Sequence, residues 1–207
     1  MVDGKLGVLA DHELSGLFES GAIKSGSALD ADQIQPASLD LRLGFEAHRI
    51  RASFLPGGGR SVSDVLAEPG TELHRIELTP QGAVLETGCV YVVPLQERLR
   101  LPAGVSGRAN PKSSTGRIDV FTRVVNNRSK AFDEVPMGYS GPLWLEISPR
   151  TFPILGRPGD RLAQLRLRRG QSDHVTEKTV SIDLDQPEGA PVGWRAKRHG
   201  GLIDLRG

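Results

Sequence analysis

Cysteine is almost missing from this chain: Cys89 stands alone in 207 residues. A single thiol rules out an internal disulfide and a thiolate zinc cluster. The histidines, His12, His48, His74, His174 and His199, are scattered without ligand spacing, so the sequence offers no metal site of its own. Excess charge of one sign is missing as well. Lys and Arg number 26 against 25 Asp and Glu, a formal +1. That balance gives the whole molecule no pull toward nucleic acid or an anionic membrane, and any anion site must be local. No apolar run approaches membrane-span length, and the first residues, with Asp3, Lys5 and Asp11, lack an uninterrupted signal-peptide core. A cytoplasmic protein is the expectation, with neither nucleic acid nor membrane among its partners.

What is there reads as β structure. Hydrophobic residues make up 38%, with 25 Gly and 14 Pro, the composition of short strands separated by many turns. A chain of this length can bury a real core in one domain. Asp11–Ser20 reads as a short helix, with Leu14, Leu17 and Phe18 on one face, Asp11 as its cap and Gly21 as its end. Residues 22–37 are polar and turn-rich. Leu39–Leu43 alternates strictly, which predicts a half-buried strand with Asp40 and Arg42 turned away from the core, free to pair across a subunit boundary. Gly44–Gly70 shows no strong period and is expected to be an excursion.

From Thr71 onward strands follow at short spacing: Leu73–Leu78, Ala83–Leu85, Cys89–Pro94, Leu99–Val105, Val120–Val125, Leu143–Ile147, the alternating Ala163–Arg168, and a last one at Val180–Leu184. The expected fold is mainly β, a sandwich or distorted barrel with a short N-terminal helix. The expected division is a domain over 1–185 and a tail over 186–207. That tail is rich in Pro, Gly and cations, and two readings of it stay open. It is a disordered end, or it is a lid or linker in which Trp194 stacks and Lys197 meets phosphate.

Two stretches carry the chemistry. Asn110–Arg117 is short, polar and cationic at both rims, with hydroxyls on Ser113, Ser114 and Thr115 and a flexible Gly116. Such a segment suits an anion, since backbone N–H groups and hydroxyls donate while Lys112 and Arg117 supply charge. Its plainer reading is ordinary turn polarity. Leu143–Ile147 is an apolar strand bearing one carboxylate, Glu146, on the same face as Trp144 while Leu143, Leu145 and Ile147 point to the core. An acid among such neighbours is either paired or suited to proton transfer near neutrality. On the strand alone, a surface glutamate at a sheet edge is the plainer reading. Together the two stretches read as a nucleotide site, with phosphates on the first and base chemistry on the second.

In order, four motifs resemble the deoxycytidine triphosphate deaminase branch of the dUTPase-like superfamily. Gln35–Gly44 looks like its N-terminal strand signature. Lys112-Ser113-Ser114-Thr115-Gly116-Arg117 is similar to its phosphate-binding segment. Gly138–Glu146 looks like the segment that delivers the catalytic glutamate, and Arg157–Leu165 is like a core strand shared with dUTPases. The resemblance spans roughly Asp11 to Arg168. It departs at Lys112, where the family has an Arg and the bidentate geometry is lost, and at the tail, which is only loosely similar to the family's closing segment. The tail looks more like the N-terminal half of tandem-domain forms.

The resemblance implies a dUTPase-like domain forming a homotrimer with active sites between subunits. It implies hydrolytic deamination of dCTP to dUTP and ammonia without zinc, with Mg²⁺ travelling on the triphosphate rather than in a protein cage. Glu146 is then the general acid–base, Ser113 positions the water, and Arg117 stabilises charge around them. Lys112 and Ser114 hold phosphates, with Thr115 and Gly116 in the same segment, and Trp144 and Leu145 lie beside the substrate. The histidine–cysteine pattern of zinc deaminases is not there. A dUTPase needs an aspartate just before the Tyr-x-Gly turn, where this chain has Pro136, Met137 and Gly138. That favours base chemistry over phosphate chemistry. A bifunctional deaminase–dUTPase and a non-catalytic nucleotide-binding module are the alternatives.

Overall fold

Alternation of apolar and polar residues sets most of the strands, and turns with Gly or Pro separate them. The computed structural model describes residues 6–170, 181, 185, 187, 189–191 and 200–206. In chain order the elements begin with β1 (Gly7–Val8), α1 (Asp11–Glu19), β2 (Ile23–Ser25), β3 (Ile34–Gln35), β4 (Ser38–Arg42) and β5 (Glu46–Ile50). Next come α2 (Val62–Leu66), β6 (Glu72–Glu77), β7 (Ala83–Leu85), β8 (Val90–Arg100), β9 (Val105–Pro111) and α3 (Ser113–Arg117). Then follow β10 (Val120–Asn126), β11 (Glu134–Val135), β12 (Ser140–Pro149), β13 (Ile154–Gly156), β14 (Arg161–Arg169) and β15 (Ile203–Asp204).

Two six-stranded sheets face each other. The first runs β11-β9-β14-β4-β3 with β1 against β14; the second runs β10-β12-β8-β5-β6 with β2 against β8. A three-stranded sheet, β15-β13-β7, closes one end, and its β13–β15 pairing is parallel while every other pairing is antiparallel. The inward rows are those the alternation marks: Leu39 and Leu41 of β4, Leu165 and Leu167 of β14, Tyr91 and Val93 of β8, and Leu143, Leu145 and Ile147 of β12. This is the expected mainly β architecture with short helices.

The structure corrects several expectations. The strand at Leu39–Leu43 is buried on both faces, with Asp40 1% and Arg42 3% exposed. The polar residues 22–37 fold over its outer face, so Arg42 donates to the Ala28 carbonyl and the Ser25 hydroxyl, each at 2.6 Å, and pairs with Glu97 at 2.9 Å. The pairing is internal to the chain. A charge off water needs such partners, and here Glu97, the Asp30 carboxylate at 3.5 Å and several neutral oxygens supply them. The excursion over Gly44–Gly70 contains β5 and α2. The cap of α2 is Ser61, whose hydroxyl accepts from the Asp64 N–H at 3.0 Å while Asp64 accepts in return from the Ser61 N–H at 2.7 Å.

At α1 the cap position falls on Ala10 rather than Asp11, and Glu13 accepts the Ala10 N–H at 3.1 Å. Cys89–Pro94 and Leu99–Val105 are not separate strands: β8 runs through Pro94 to Arg100. Proline has no N–H to give a ladder, and there β12 slips register between Pro142 and Trp144 while the Gly44 N–H reaches the Pro94 carbonyl at 2.7 Å. A Cβ on Gly44 would lie 2.5 Å from that oxygen, which is why the close approach needs glycine. Residues 200–206 return to the body through β15, where the Arg157 guanidinium pairs with Asp204 and Arg206 with Asp160. Most of the strand expected at Val180–Leu184, together with Trp194 and Lys197, lies outside the described residues.

Candidate active site

Register on the second sheet brings one row of side chains into line. His48 of β5 faces Val92 of β8, Val92 faces Glu146 of β12, and Glu146 faces Arg123 of β10. Directly opposed residues share a face, and this face is the outer one, away from the main core. A second apolar cluster covers it: Ile50, Val92, Val125 and Trp144 of the strands meet Val62 and Leu66 of α2, with Phe54 and Phe132 packed at the side.

Under that cover Glu146 is 2% exposed and both of its oxygens are engaged. Arg123 donates to Oε1 through Nε at 3.0 Å and Nη2 at 2.5 Å, and Ser53 donates from Oγ to Oε2 at 2.6 Å. Arg123 Nη2 also donates to Ser53 Oγ at 2.7 Å. The guanidinium carbon lies 3.6 Å from the centroid of the Phe132 ring and 5.0 Å from that of Phe121, positions that add cation–π attraction to the ion pair. Asp133, next to Phe132, is pushed up from the ordinary carboxylate range chiefly by burial, despite accepting the Val124 N–H at 2.7 Å. Trp144 is 8% exposed, and its indole N–H has no hydrogen-bond partner among the described residues. His48 is buried with its ring 5.9 Å from that indole; its two nitrogens lie 3.3 Å from carboxylate oxygens of Glu46 and Glu72, neither aligned as a hydrogen bond.

The cationic segment expected as a turn is the end of β9 followed by α3. Ser113, Ser114, Gly116 and Arg117 are exposed, while Thr115 is buried and donates from Oγ1 to the Leu162 carbonyl at 2.8 Å. Arg117 folds back over its own turn, donating to the Ser113 carbonyl at 3.4 Å and hydroxyl at 3.3 Å. The Lys112 ammonium is paired with the buried Asp40 carboxylate, and Arg161 stands 3.7 Å from the same group. A hollow of about 500 Å³ lies beside α3, lined by Pro111, Gly116, Asp119, Val120, Phe121 and Arg150. Phe121 therefore borders this hollow on one side and the Arg123 guanidinium on the other.

The structure thus gathers the expected residues into two groups. Ser113, Ser114, Gly116 and Arg117 make one exposed surface, and Glu146 with Trp144 makes a buried one; among the described residues no side-chain hydrogen bond or ion pair joins the two. Leu145 is fully buried on the inward face, so its side chain belongs to the core. Ser53, Arg123 and Phe132 were not singled out from sequence. Arg123 left a trace, a cation in the β-branched run Val120–Val125, whereas Ser53 sits in the excursion with nothing to mark it.

The chain is thus a mainly β sandwich with a buried carboxylate and, separate from it, an exposed hydroxyl-bearing cationic segment, and comparison with known proteins gives the class of this domain. The model of the 2'-deoxycytidine 5'-triphosphate deaminase N-terminal domain matches residues 5–171, and the chain belongs to that family. The crystal structure of 2'-deoxycytidine 5'-triphosphate deaminase from Agrobacterium tumefaciens superposes with a TM-score of 0.86 at 49% identity, covering 98% of this chain and 67% of that one. Among curated relatives, a dUMP-forming dCTP deaminase of Thermobifida fusca is 30% identical over 167 residues, 76% of each chain. A dCTP deaminase of Haloarcula marismortui is 29% identical over 202 residues, 94% of this chain and 91% of that one. Among the described residues no helix is long and apolar enough to cross a membrane.

Proposed function

We propose that this protein hydrolyses dCTP, bound as its Mg²⁺ complex, to dUTP and ammonia, with Glu146 carrying the protons. What supports the reading most directly is Glu146 itself, a carboxylate buried beside Trp144 on a strand of a deaminase-family domain. Glu146 takes a proton from water as the oxygen bonds to C4 of the ring and passes it to N3; it then takes the proton of the new C4 hydroxyl and gives it to the amine, so that the C4–N4 bond breaks, ammonia leaves and the C4 carbonyl forms. The exposed hydroxyls of Ser113 and Ser114 and the Arg117 cation hold the polyphosphate and the attacking water. No zinc takes part. Lys112, spent on Asp40, supports the segment from below and meets phosphate only by leaving that pair.

The two groups of residues, unbridged within one chain, suit a homotrimer in which α3 of one subunit completes the Glu146 site of the next. The compartment proposed is the cytoplasm. Purified protein given dCTP and Mg²⁺ is expected to release one ammonia per dUTP formed, and Glu146→Gln is expected to lose about 10²–10⁴-fold in rate. Turnover by that variant at the parent rate removes the assigned role. A second reading, that the chain continues to dUMP, is favoured by the dUMP-forming relative of Thermobifida fusca. Chromatography of the product separates the two: dUMP with pyrophosphate supports the second, dUTP alone the first.

A further inference from the structure

The segment 51–61 lies far in sequence from every motif of the resemblance that reaches the nucleotide, yet it delivers Ser53 to the carboxylate of Glu146. We infer that Ser53 and Arg123 are positioning residues for the deamination, holding the Glu146 carboxylate fixed in one rotamer on the outer face of the second sheet. This rests on Glu146 being the proton carrier.

Hydrogen-bond direction makes the arrangement specific. A guanidinium can only donate, so the Ser53 hydroxyl, 2.7 Å from Arg123 Nη2, must accept there and send its own proton to Glu146 Oε2 at 2.6 Å. Oε1 takes two further donors from Arg123, at 3.0 and 2.5 Å. One oxygen is thereby clamped by a fork that cannot exchange protons, and the other faces a neutral hydroxyl that gives way to water or to the ring. Arg123 is itself held, stacked against Phe132 and flanked by Phe121, and Phe121 in turn lines the hollow beside α3. The segment carrying Ser53 is tied down too: the Gly57 N–H donates to the Ser129 carbonyl at 3.0 Å, and the Arg128 N–H to the Arg60 carbonyl at 2.9 Å. Loops 51–61 and 127–132 therefore form one cover over Glu146.

The charged groups around the acid are few. Arg123 comes from β10, Asp133 from the loop after it, and His48, with Glu46 and Glu72 behind it, from the same cross-strand row. Among the described residues, only Arg123 touches the carboxylate with a positive charge.

The test uses the full chain with Mg²⁺ and dCTP, comparing the parent with Ser53→Ala, Arg123→Leu, Arg123→Lys and Glu146→Gln, each checked for an unchanged thermal transition. Arg123→Leu is expected to lose about 100-fold in kcat with KM within a fewfold of the parent. Arg123→Lys should restore part of kcat, since it keeps the charge but loses the fork. Ser53→Ala should lower kcat, again with KM within a fewfold of the parent. Should Arg123→Leu fail to fold, Arg123→Lys and Ser53→Ala decide the matter by their kcat. Parent-like kcat in these variants, with Glu146→Gln inactive, overturns the inference and leaves the proposed function standing. An active Glu146→Gln, or a parent inert toward dCTP, overturns both.

Discussion

Asp133 sits in the left-handed region, with φ of 62°, a conformation that Asp and Asn adopt more readily than most residues. Its carboxyl accepts a backbone N–H, yet burial holds it above the ordinary carboxylate range. A carboxyl raised on folding contributes stability below its unfolded value, and that contribution is lost as pH rises through the folded one. At neutral pH the ionised Asp133 is therefore a cost. Asn keeps both the acceptor and the backbone preference without the charge. Asp133→Asn is expected to match or exceed the parent in thermal stability at pH 7, and to lose any advantage near pH 3, where the parent side chain is protonated. A variant less stable at pH 7 but equal at pH 3 would show that the negative charge itself is needed, through Arg123 or Arg108.

Elements in this fold are joined by charged groups as much as by apolar rows. Gln33, Arg42 and Glu97 form a buried knot that ties the segment before β4 to β8: Gln33 Nε2 donates to Glu97 at 2.8 Å and to the Asp40 carbonyl at 2.9 Å, and the Arg42 N–H donates to Glu97 at 2.8 Å. Glu97→Leu leaves the buried Arg42 cation with only the half-exposed Asp30 carboxylate, 3.5 Å away, among the described residues, which should cost about 3–5 kcal/mol in urea unfolding. A loss under about 1 kcal/mol would mean that Asp30 or entering water replaces the acid. β15 is held by Asp204, whose carboxyl lies at about 2, lowered first by the Arg157 guanidinium and then by the Arg206 N–H. A depressed carboxyl stabilises above its unfolded value near 3.8 and loses that contribution as pH falls through the folded one. Methyl resonances of Ile203 and Leu205 should therefore keep their docked positions to about pH 3 and move only as pH approaches 2. In Arg157→Ala they should move near pH 4, the range of an unpaired carboxyl.

For the whole molecule, the expected assembly follows from where the two groups of site residues lie. The exposed surface of α3 and the covered Glu146 do not meet within one chain, and Phe121, between them, is 47% exposed. Sedimentation equilibrium should give three times the chain mass of 22.3 kDa. A single-chain mass together with full activity would place both groups in one subunit's site and remove the inter-subunit arrangement.

Several features could be read before any fold was known. The inward rows Leu39–Leu41 and Leu143–Leu145–Ile147, the helix at α1 and the placing of Glu146 and Trp144 on one face follow from local periodicity, because a side chain's face is fixed by its neighbours two to four positions away. The cationic hydroxyl-bearing segment was visible for the same reason. The sequence by itself determined which residues turn inward and which chemistry each stretch carries. Only the tertiary structure decided the partners: that residues 22–37 cover Asp40 and Arg42, that Asp40 takes Lys112, and that register sets Arg123 opposite Glu146 with Ser53 closing over both. Partner choice depends on strand register and loop closure across long stretches of chain, 93 positions from Ser53 to Glu146, and no local pattern records it.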